Sequence, residues 1–156
     1  MNEKEAADAH KAAEALYHGI LKGWNDHDGD AFSAPFAEDG LVIGFDGSEN
    51  AGRAGIAEQM NKIFADHETG RYVGKIKNVK VPLPDLAVVH AVAGMLPAGA
   101  DDINPKLNAV QTVVAVRRSG EWRVELYQNT PAQFHGRPEA VDELTAELRA
   151  VLEDAG

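Results

Sequence analysis

The stretch from Ala109 to Thr130, AVQTVVAVRRSGEWRVELYQNT, contains two runs of β-branched and aromatic residues separated by a short polar link. Runs of this composition favour extended strands. Glycine tolerates the positive φ that a two-residue hairpin loop needs, so Ser119-Gly120 predicts a tight turn. The stretch therefore predicts an antiparallel β-hairpin, from which the rest of the fold can be inferred outward.

Strands and helices on either side of the hairpin are indicated by the spacing of apolar residues. Further strands are expected at Gly40 to Phe45, Tyr72 to Val81 and Leu86 to Met95, with a turn or short helix around Asp30 to Phe36 and a turn from Asp46 to Gly52. Apolar stripes at helical spacing predict a long first helix ending near Asn25 to Gly29, a helix from about Arg53 to Asp66, and a closing helix that Pro138 begins. The order helix, strand, helix and then four strands indicates one α+β domain over residues 1–156, with a curved, mostly antiparallel sheet of about five to six strands. We expect the helices to gather on one face and to enclose a pocket.

Composition excludes several classes of function. The net charge is -10, from 25 acidic and 15 basic side chains, so the surface repels nucleic acid and anionic membranes. The absence of cysteine excludes disulfides and thiolate chemistry. No segment approaches the ~20 apolar residues that span a membrane. We expect a cytoplasmic protein with no nucleic-acid or membrane partner.

An unbroken hairpin register predicts which side chains face the core. If Arg118 lies opposite Glu121, then Gln111 faces Gln128 on the inner face of the sheet, and Asn129 points outward unless a bulge re-aims it. Two neighbouring glutamines on a core face need hydrogen-bond partners. They could bond each other and a buried water, or they could line a cavity and orient the oxygen atoms of a ligand.

The opposite face of the hairpin carries an apolar strip mixed with charges. Its members are Val110, Val114, Val116 and Tyr127, together with Arg123 and Glu125. A strip of this kind would be a liability if it were wholly exposed. We therefore expect a homodimer through the outer face of the sheet.

Four stretches give the chain a resemblance to a known family: GWNDHDGDAFSAPFAEDG, GFDGSENAGRAGI, MLPAGADDINPKLNAVQTVVAVRRSGEWRV and YQNTPAQFHGRPE. They resemble the SgcJ/EcaC family, a branch of the SnoaL-like, nuclear transport factor 2-like superfamily that is associated with enediyne polyketide biosynthesis. The resemblance implies a cone-shaped barrel whose helices cap a hydrophobic pocket. Its superfamily includes polyketide cyclases and ketosteroid isomerase alongside members that only bind or assemble. No cofactor is expected, and the glycines do not have the G-x-G-x-x-G spacing of a dinucleotide site.

Three residues are candidates for acid or base chemistry, each with a structural alternative. Asp46 follows a strand and could be a base at the pocket rim or a simple turn former. His67 could act at the pocket or complement the dipole of the helix that it ends. His135 lies beside a glycine and could border the pocket or belong only to the entry of the last helix.

Other candidates would bind a ligand. Tyr17 and Trp24 lie on the buried stripe of the first helix, where core and pocket roles are compatible, and His90 lies in a strand as a core or pocket residue. If they line the cavity, Gln111, Gln128 and Asn129 would orient ligand oxygens. The acids of the loop PAGADDINP lack further residues at metal-ligand spacing, so no metal site is expected.

Two classes of function remain open. In the first, the protein binds a hydrophobic, oxygen-bearing polyketide intermediate and catalyses cofactor-free proton transfer, cyclisation or isomerisation. In the second, it is a non-catalytic binding or accessory protein that shields such a molecule or supports a polyketide synthase. A titratable group at the pocket floor would favour the enzyme, and a floor of amides and apolar groups would favour binding.

Overall fold

The structure, a computed structural model, describes residues 1–155, which form four helices and six strands. The helices are α1 Glu3–Asn25, α2 Gly29–Ser33, α3 Arg53–Asp66 and α4 Pro138–Ala155, with a short 3-10 helix at Pro105–Leu107. The strands are β1 Phe36–Ile43, β2 Glu49–Ala51, β3 Arg71–Leu83, β4 Leu86–Leu96, β5 Ala109–Arg118 and β6 Glu121–Pro131. None of the helices within residues 1–155 is both long enough and apolar enough to cross a membrane.

All six strands belong to one sheet in the order β2-β1-β6-β5-β4-β3. Four of the neighbouring pairs are antiparallel, and β1 pairs with β6 in parallel. The predicted α+β class and strand number are confirmed. Strand β2 lies inside the stretch that was expected to be only a turn, and the parallel pair was not expected, since β1 and β6 are far apart in the sequence.

Helix α1 packs on the face of the sheet that we call the inner face. The helix begins with a capping box, in which the side chain of Asn2 accepts a hydrogen bond from the backbone N–H of Glu5 at 2.8 Å. Gly74 of β3 lets the helix approach closely: a Cβ there would come within 2.4 Å of both the Tyr17 hydroxyl and a methyl group of Leu21. The apolar stripe of α1 is therefore buried directly against the strands.

Helix α4 packs on the opposite, outer face. It covers β3 and β4 with Leu144 and Leu148, and a Cβ at Gly94 would lie 3.1 Å from Leu148. Gly94 pairs with Val73, the residue next to Gly74, so strand alternation places the contacts of α4 and α1 on opposite faces. The expectation that the helices gather on one face holds for α1 and α3 but not for α4.

A β-bulge interrupts the hairpin formed by β5 and β6. The strands pair as an unbroken register requires from Arg118–Glu121 to Ala115–Val124. Glu125 is then an extra residue, and the register shifts by one. The predicted register is confirmed beside the turn and wrong beyond the bulge.

The shift exchanges the faces of every later residue of β6. Asn129, not Gln128, lies opposite Gln111. Tyr127 and Asn129 are buried on the inner face, 4% and 7% exposed. Gln128 lies on the outer face opposite Thr112, so its predicted inward position was wrong. Asn129 was predicted to point outward unless a bulge re-aimed it, and the bulge at Glu125 does turn it inward.

Candidate functional site: a cavity of aromatic and amide side chains

A cavity of about 360 Å³ lies between the inner face of the sheet and helices α1, α2 and α3. Its apolar and aromatic lining comes from Leu21, Trp24, Phe32, Val42, Gly44, Phe45, Met60, Ile63, Tyr72 and Tyr127, and its polar lining from Asp46, Ser48, Asn50, Gln59 and Asn129. Cavities of ~300–1,000 Å³ with a mainly apolar wall and a few polar groups are typical of small-molecule sites.

A larger groove of about 970 Å³ lies outside the helices, beside β2 and the β5–β6 turn. Charged side chains line it, and two of its arginines already have partners: Arg118 is paired with Glu125, and Arg123 lies 3.3 Å from Glu121. These carboxylates already compensate the charges of the two arginines. The enclosed cavity is the better candidate site.

The end of α1 fixes one aromatic wall of the cavity. The ring of Trp24 lies 5.2 Å from that of Tyr72 and 5.4 Å from that of Phe64, and its indole N–H donates to the carbonyl of Gly70 at 2.9 Å. The side chain of Asn25 accepts from the backbone N–H of Tyr72 at 2.8 Å and donates to its carbonyl at 3.0 Å. Because β3 is an edge strand, these bonds replace those of a missing neighbour strand and hold the Tyr72 ring in place.

A chain of four side chains crosses the floor of the cavity. The hydroxyl of Tyr17 donates to Gln111 Oε1 at 2.6 Å, Gln111 Nε2 donates to Asn129 Oδ1 at 3.1 Å, and Asn129 Nδ2 donates to the hydroxyl of Tyr72 at 3.0 Å. Tyr17 and Gln111 are 0% exposed, whereas Asn129 and Tyr72 line the cavity. We call these four residues the floor chain.

The three tyrosines of the protein, Tyr17, Tyr72 and Tyr127, all meet at this floor. Burial raises the pKa of each phenol, most strongly for Tyr17 and Tyr127, and the proximity of the phenols to one another adds to the rise for those two. All three hydroxyls therefore remain neutral hydrogen-bond donors at physiological pH. The Tyr127 hydroxyl forms no hydrogen bond within residues 1–155, and it is not one of the buried side-chain atoms that lack a partner, so it is open to the cavity that its residue lines.

The rim contains the one charged residue of the lining. Asp46 is exposed, and its carboxylate accepts the backbone N–H of Ser48 at 2.9 Å. Hydrogen bonds from Ser48 hold the pKa of Asp46 below its usual value. The carboxylate is therefore ionised at neutral pH but is a weak base. No three His, Asp or Glu side chains in the described part of the chain are arranged to hold a metal ion.

Three of the residues singled out from the sequence line this cavity: Trp24, Asn129 and Asp46. Two others, Tyr17 and Gln111, lie behind its floor and reach a ligand only through their neighbours. Gln111 bonds Tyr17 and Asn129, and not Gln128 as one of the sequence interpretations supposed.

The remaining candidates lie elsewhere. Gln128 and His90 are on the outer face, where His90 lies 3.4 Å from the side chain of Asn78. His67 is the exposed C-cap of α3, and His135 is exposed in the turn between β6 and α4. Neither His67 nor His135 is among the residues that line the cavity.

Sequence reasoning missed Tyr72 and placed Tyr127 on the wrong face. Under an unbroken register, the inward-facing residues of β6 become polar toward the end of the strand, where they would be Gln128 and Thr130. This change is the signal that could have placed Tyr127 on the inner face. A shift of one residue replaces Gln128 and Thr130 by Tyr127 and Asn129, which match Gln111 across the hairpin. The bulge residue Glu125 has no local sequence mark that would have fixed the shift.

The fold and the cavity together define a class: an α+β fold whose sheet and helices enclose a cavity of ligand size. Residues 13–131 match the family model described as a SnoaL-like domain, so the chain belongs to the SnoaL-like family. Helix α4 lies outside the matched residues. No curated protein matches the chain.

Solved structures share the fold at low sequence identity. A domain of unknown function with a cystatin-like fold from Nostoc punctiforme has a TM-score of 0.77 and 24% identity, covering 94% of each chain. A ketosteroid isomerase-like protein from Erwinia carotovora atroseptica has a TM-score of 0.63 and 20% identity, covering 85% of this chain and 99% of the other. A putative calcium/calmodulin-dependent protein kinase type II association domain from Thiobacillus denitrificans has a TM-score of 0.65 and 19% identity, covering 77% and 94%. At these identities, the similarities show a shared fold and nothing more.

Proposed function

We propose that this protein binds a small, mostly apolar molecule that carries an oxygen atom, and that the molecule lies in the cavity with its oxygen on the tyrosine floor. The observation that carries the proposal is the Tyr127 hydroxyl, a neutral donor that forms no side-chain hydrogen bond within residues 1–155 and whose ring lines the cavity. Its oxygen is not among the buried side-chain atoms that lack a partner, which are Thr69 Oγ1 and Asn108 Oδ1, so it is open to the cavity. A ligand oxygen that lies there would accept its hydrogen in place of water.

Charge narrows the class of ligand. Within the described lining there is no Lys, Arg or His, and Asp46 at the rim is negative. A carboxylate or phosphate would lose its hydration without gaining a counter-charge. We infer a neutral ligand whose hydrocarbon body contacts Trp24 and the aliphatic wall.

Binding without chemistry is the function that the site supports best. The floor consists of phenols whose raised pKa keeps them protonated and of amides, neither of which can take a proton from a ligand. Isomerase-type proton transfer is the competing proposal, and the structural similarity to the ketosteroid isomerase-like protein supports it. In that case Asp46 would be the base and the phenols would stabilise an oxyanion. Replacement of Asp46 by Asn would then abolish turnover and leave ligand binding intact.

The resemblance to the SgcJ/EcaC branch extends the proposal to a pathway. We infer that the ligand is a polyketide-type intermediate of an enediyne pathway and that the protein accompanies a polyketide synthase, either as a carrier or as a cyclase. The apolar wall and the neutral donors suit the conjugated, ketone-bearing chains of such intermediates. Co-production with the synthase, followed by native mass spectrometry of the purified protein, would detect the retained molecule; an empty protein would contradict this extension.

We expect replacement of Tyr127 by Phe to weaken binding of a neutral aromatic ketone about tenfold, because one hydrogen bond in a water-poor site is lost while the cavity keeps its shape. Trp24 lines the cavity and reports binding by fluorescence once Trp122, the only other tryptophan, is replaced by Phe. Titration of fluorenone into the Trp122→Phe protein with and without the Tyr127→Phe change measures the effect.

His135→Ala is the matched control, since His135 is exposed and does not line the cavity. Its affinity should equal that of the parent. Equal affinities of the Tyr127→Phe variant and the parent would show that the ligand does not use the Tyr127 hydroxyl, and the observation on which the proposal rests would lose its force.

We also propose a homodimer through the part of the outer face that α4 leaves uncovered. The side chains there are half-buried in the single chain and mostly aliphatic: Leu41, Ile43, Val88, Val110, Val114, Val116 and Leu126. Tyr127, which an unbroken register would place in this strip, is excluded because it faces inward. Burial of such a surface against a second copy would remove it from water.

We expect Val114→Lys to convert the dimer to a monomer, because two added charges would meet near the centre of the interface. Light scattering coupled to size-exclusion chromatography measures the mass. Glu121→Lys, at the exposed hairpin turn, adds a lysine without changing an aliphatic position and should remain dimeric. A parent protein that is monomeric at high micromolar concentration would refute the proposal.

A further inference from the structure

The floor chain has a direction. Starting from Tyr17, each member donates a hydrogen bond to the next, so the hydroxyl of Tyr72 receives a bond from Asn129 and its own hydrogen remains available. The reverse direction would use the same atoms after a flip of both amides. In that case Tyr72 would donate to Asn129, and Tyr17 would be the acceptor at the far end.

Burial decides between the two directions. Tyr17 is 0% exposed and bonds only Gln111 among residues 1–155, so in the reverse direction its hydrogen would have no acceptor. An unpaired buried donor is costly. Tyr72 stands at the other end and lines the cavity, where a ligand or water can accept its hydrogen. Tyr17, the closed end of the floor chain, must therefore donate. Tyr72, the open end beside the cavity, is left with a free hydrogen.

We propose that Tyr17 and Gln111 are positioning residues that set the hydrogen-bond polarity of the cavity without touching the ligand. They fix Asn129 as the donor to Tyr72 and thereby make the Tyr72 hydroxyl a donor toward the cavity. This inference rests on the proposed function, because it concerns the choice of ligand by the same site.

The consequence is a preference among ligands of equal size and shape. A ligand whose only polar group is an acceptor satisfies the Tyr72 hydrogen, and the free Tyr127 hydroxyl can donate to the same atom. A ligand whose only polar group is an N–H donor leaves the Tyr72 hydrogen unpaired. Sites built around buried donors reject such analogues more strongly than apolar pockets do.

Three rigid tricyclic probes of nearly equal size test this preference. Fluorenone is an acceptor, carbazole is a donor, and fluorene is neither. We expect equilibrium dialysis to show that the parent protein prefers fluorenone to carbazole by about tenfold. Tyr17→Phe keeps the ring, removes the closed-end donor and frees the chain to reverse, so the ratio of the two affinities should fall toward one.

Two further variants serve as a positive and a negative control for that result. Tyr72→Phe removes the donor whose direction the floor chain fixes, and it should also lower the preference toward one, because the free Tyr127 hydroxyl can either donate to fluorenone or accept from carbazole. Gln128→Leu changes a glutamine on the outer face and should leave the preference unchanged. A Tyr17→Phe protein that keeps the full preference, while Tyr72→Phe loses it, would overturn the proposal, because the polarity would then not depend on the closed end.

The same three probes distinguish a failure of this inference from a failure of the proposed function. If none of the three probes, fluorene included, binds the parent protein, the cavity is not a site for such molecules and the proposed function fails. If fluorene and both polar probes bind the parent with equal affinity, the cavity binds ligands but the polarity proposal fails.

A spectroscopic measurement tests the direction directly, and it does not require that Tyr17→Phe fold. The tyrosine doublet in ultraviolet resonance Raman spectra distinguishes phenols that donate from those that accept. With three tyrosines in the chain, the difference between the ligand-free parent and Tyr72→Phe isolates one of them. We expect Tyr72 to show the signature of an acceptor in the free protein, because Asn129 donates to its hydroxyl in the proposed direction. A Tyr72 that shows only the signature of a donor before ligand is added would contradict that direction.

Discussion

Raising the pH above about 10 is expected to unfold this protein in one step, with tyrosine ionisation appearing only as the fold is lost. The native pKa values of Tyr17 and Tyr127 are raised well above the value of 10.0 that a free phenol has. Between the unfolded and folded pKa values, the unfolded chain loses protons that the native chain keeps. Stability is therefore fully present below pH 10 and falls as the pH rises.

The size of the effect follows from proton linkage. Each strongly shifted phenol lowers the free energy of unfolding by about 1.4 kcal/mol per pH unit, so Tyr17 and Tyr127 together remove about 3 kcal/mol per unit. Since small domains have about 5–15 kcal/mol in total, unfolding should follow within a few pH units. Near-ultraviolet tyrosinate absorbance and far-ultraviolet circular dichroism, recorded together, measure both events.

Tyr17→Phe is the matched variant, because it removes one linked proton and keeps the ring. The slope of stability against pH should become shallower by about 1.4 kcal/mol per unit. Tyrosinate absorbance that rises near pH 10 while the circular dichroism stays native would show that the phenols are accessible to water, and the description of the cavity floor would then be wrong.

Gly23→Ala is expected to lower the free energy of unfolding by about 2 kcal/mol or more, although alanine is the better helix former by about 1 kcal/mol. A Cβ at Gly23 would lie 2.4 Å from the backbone nitrogen of Phe32 and 2.8 Å from the carbonyl carbon of Ala31. Backbone atoms cannot rotate away as a side chain can. Helix α2 would have to move, and Phe32, which lines the cavity, would move with it.

Gly55→Ala is the control for this change. Gly55 lies in the first turn of α3, and nothing stands within 4 Å of a Cβ placed there. Alanine at that position should raise the free energy of unfolding by about 0.5–1 kcal/mol. Urea unfolding of both variants measures the contrast; equal stabilisation by both would mean that α1 and α2 do not approach closely at Gly23.

The polar floor was the least predictable part of the site. The sequence pointed to Gln111, Trp24 and Asn129 as polar or aromatic residues near a pocket, and the structure places all three at or beside the cavity. His67 and His135, the histidines that offered acid or base chemistry, are exposed at the end of α3 and in the turn before α4. Their positions could not be predicted, because nothing in the sequence ties an isolated histidine to a cavity. The place of Tyr72 in the cavity could not be predicted, because it depends on a contact with Asn25 of α1, which lies 47 residues earlier in the sequence.

The sequence by itself determined the α+β class, the long first helix, the strand-rich second half and the hairpin at Ser119-Gly120. These features depend on periodicity and turn chemistry, which are local properties of the chain. The tertiary structure alone decided the faces of β6 beyond Glu125, the outer position of α4 and the direction of the floor chain. The physical reason is that one inserted residue in a strand reverses the face of every residue after it, and whether it is inserted depends on packing against α1 and the neighbouring strands.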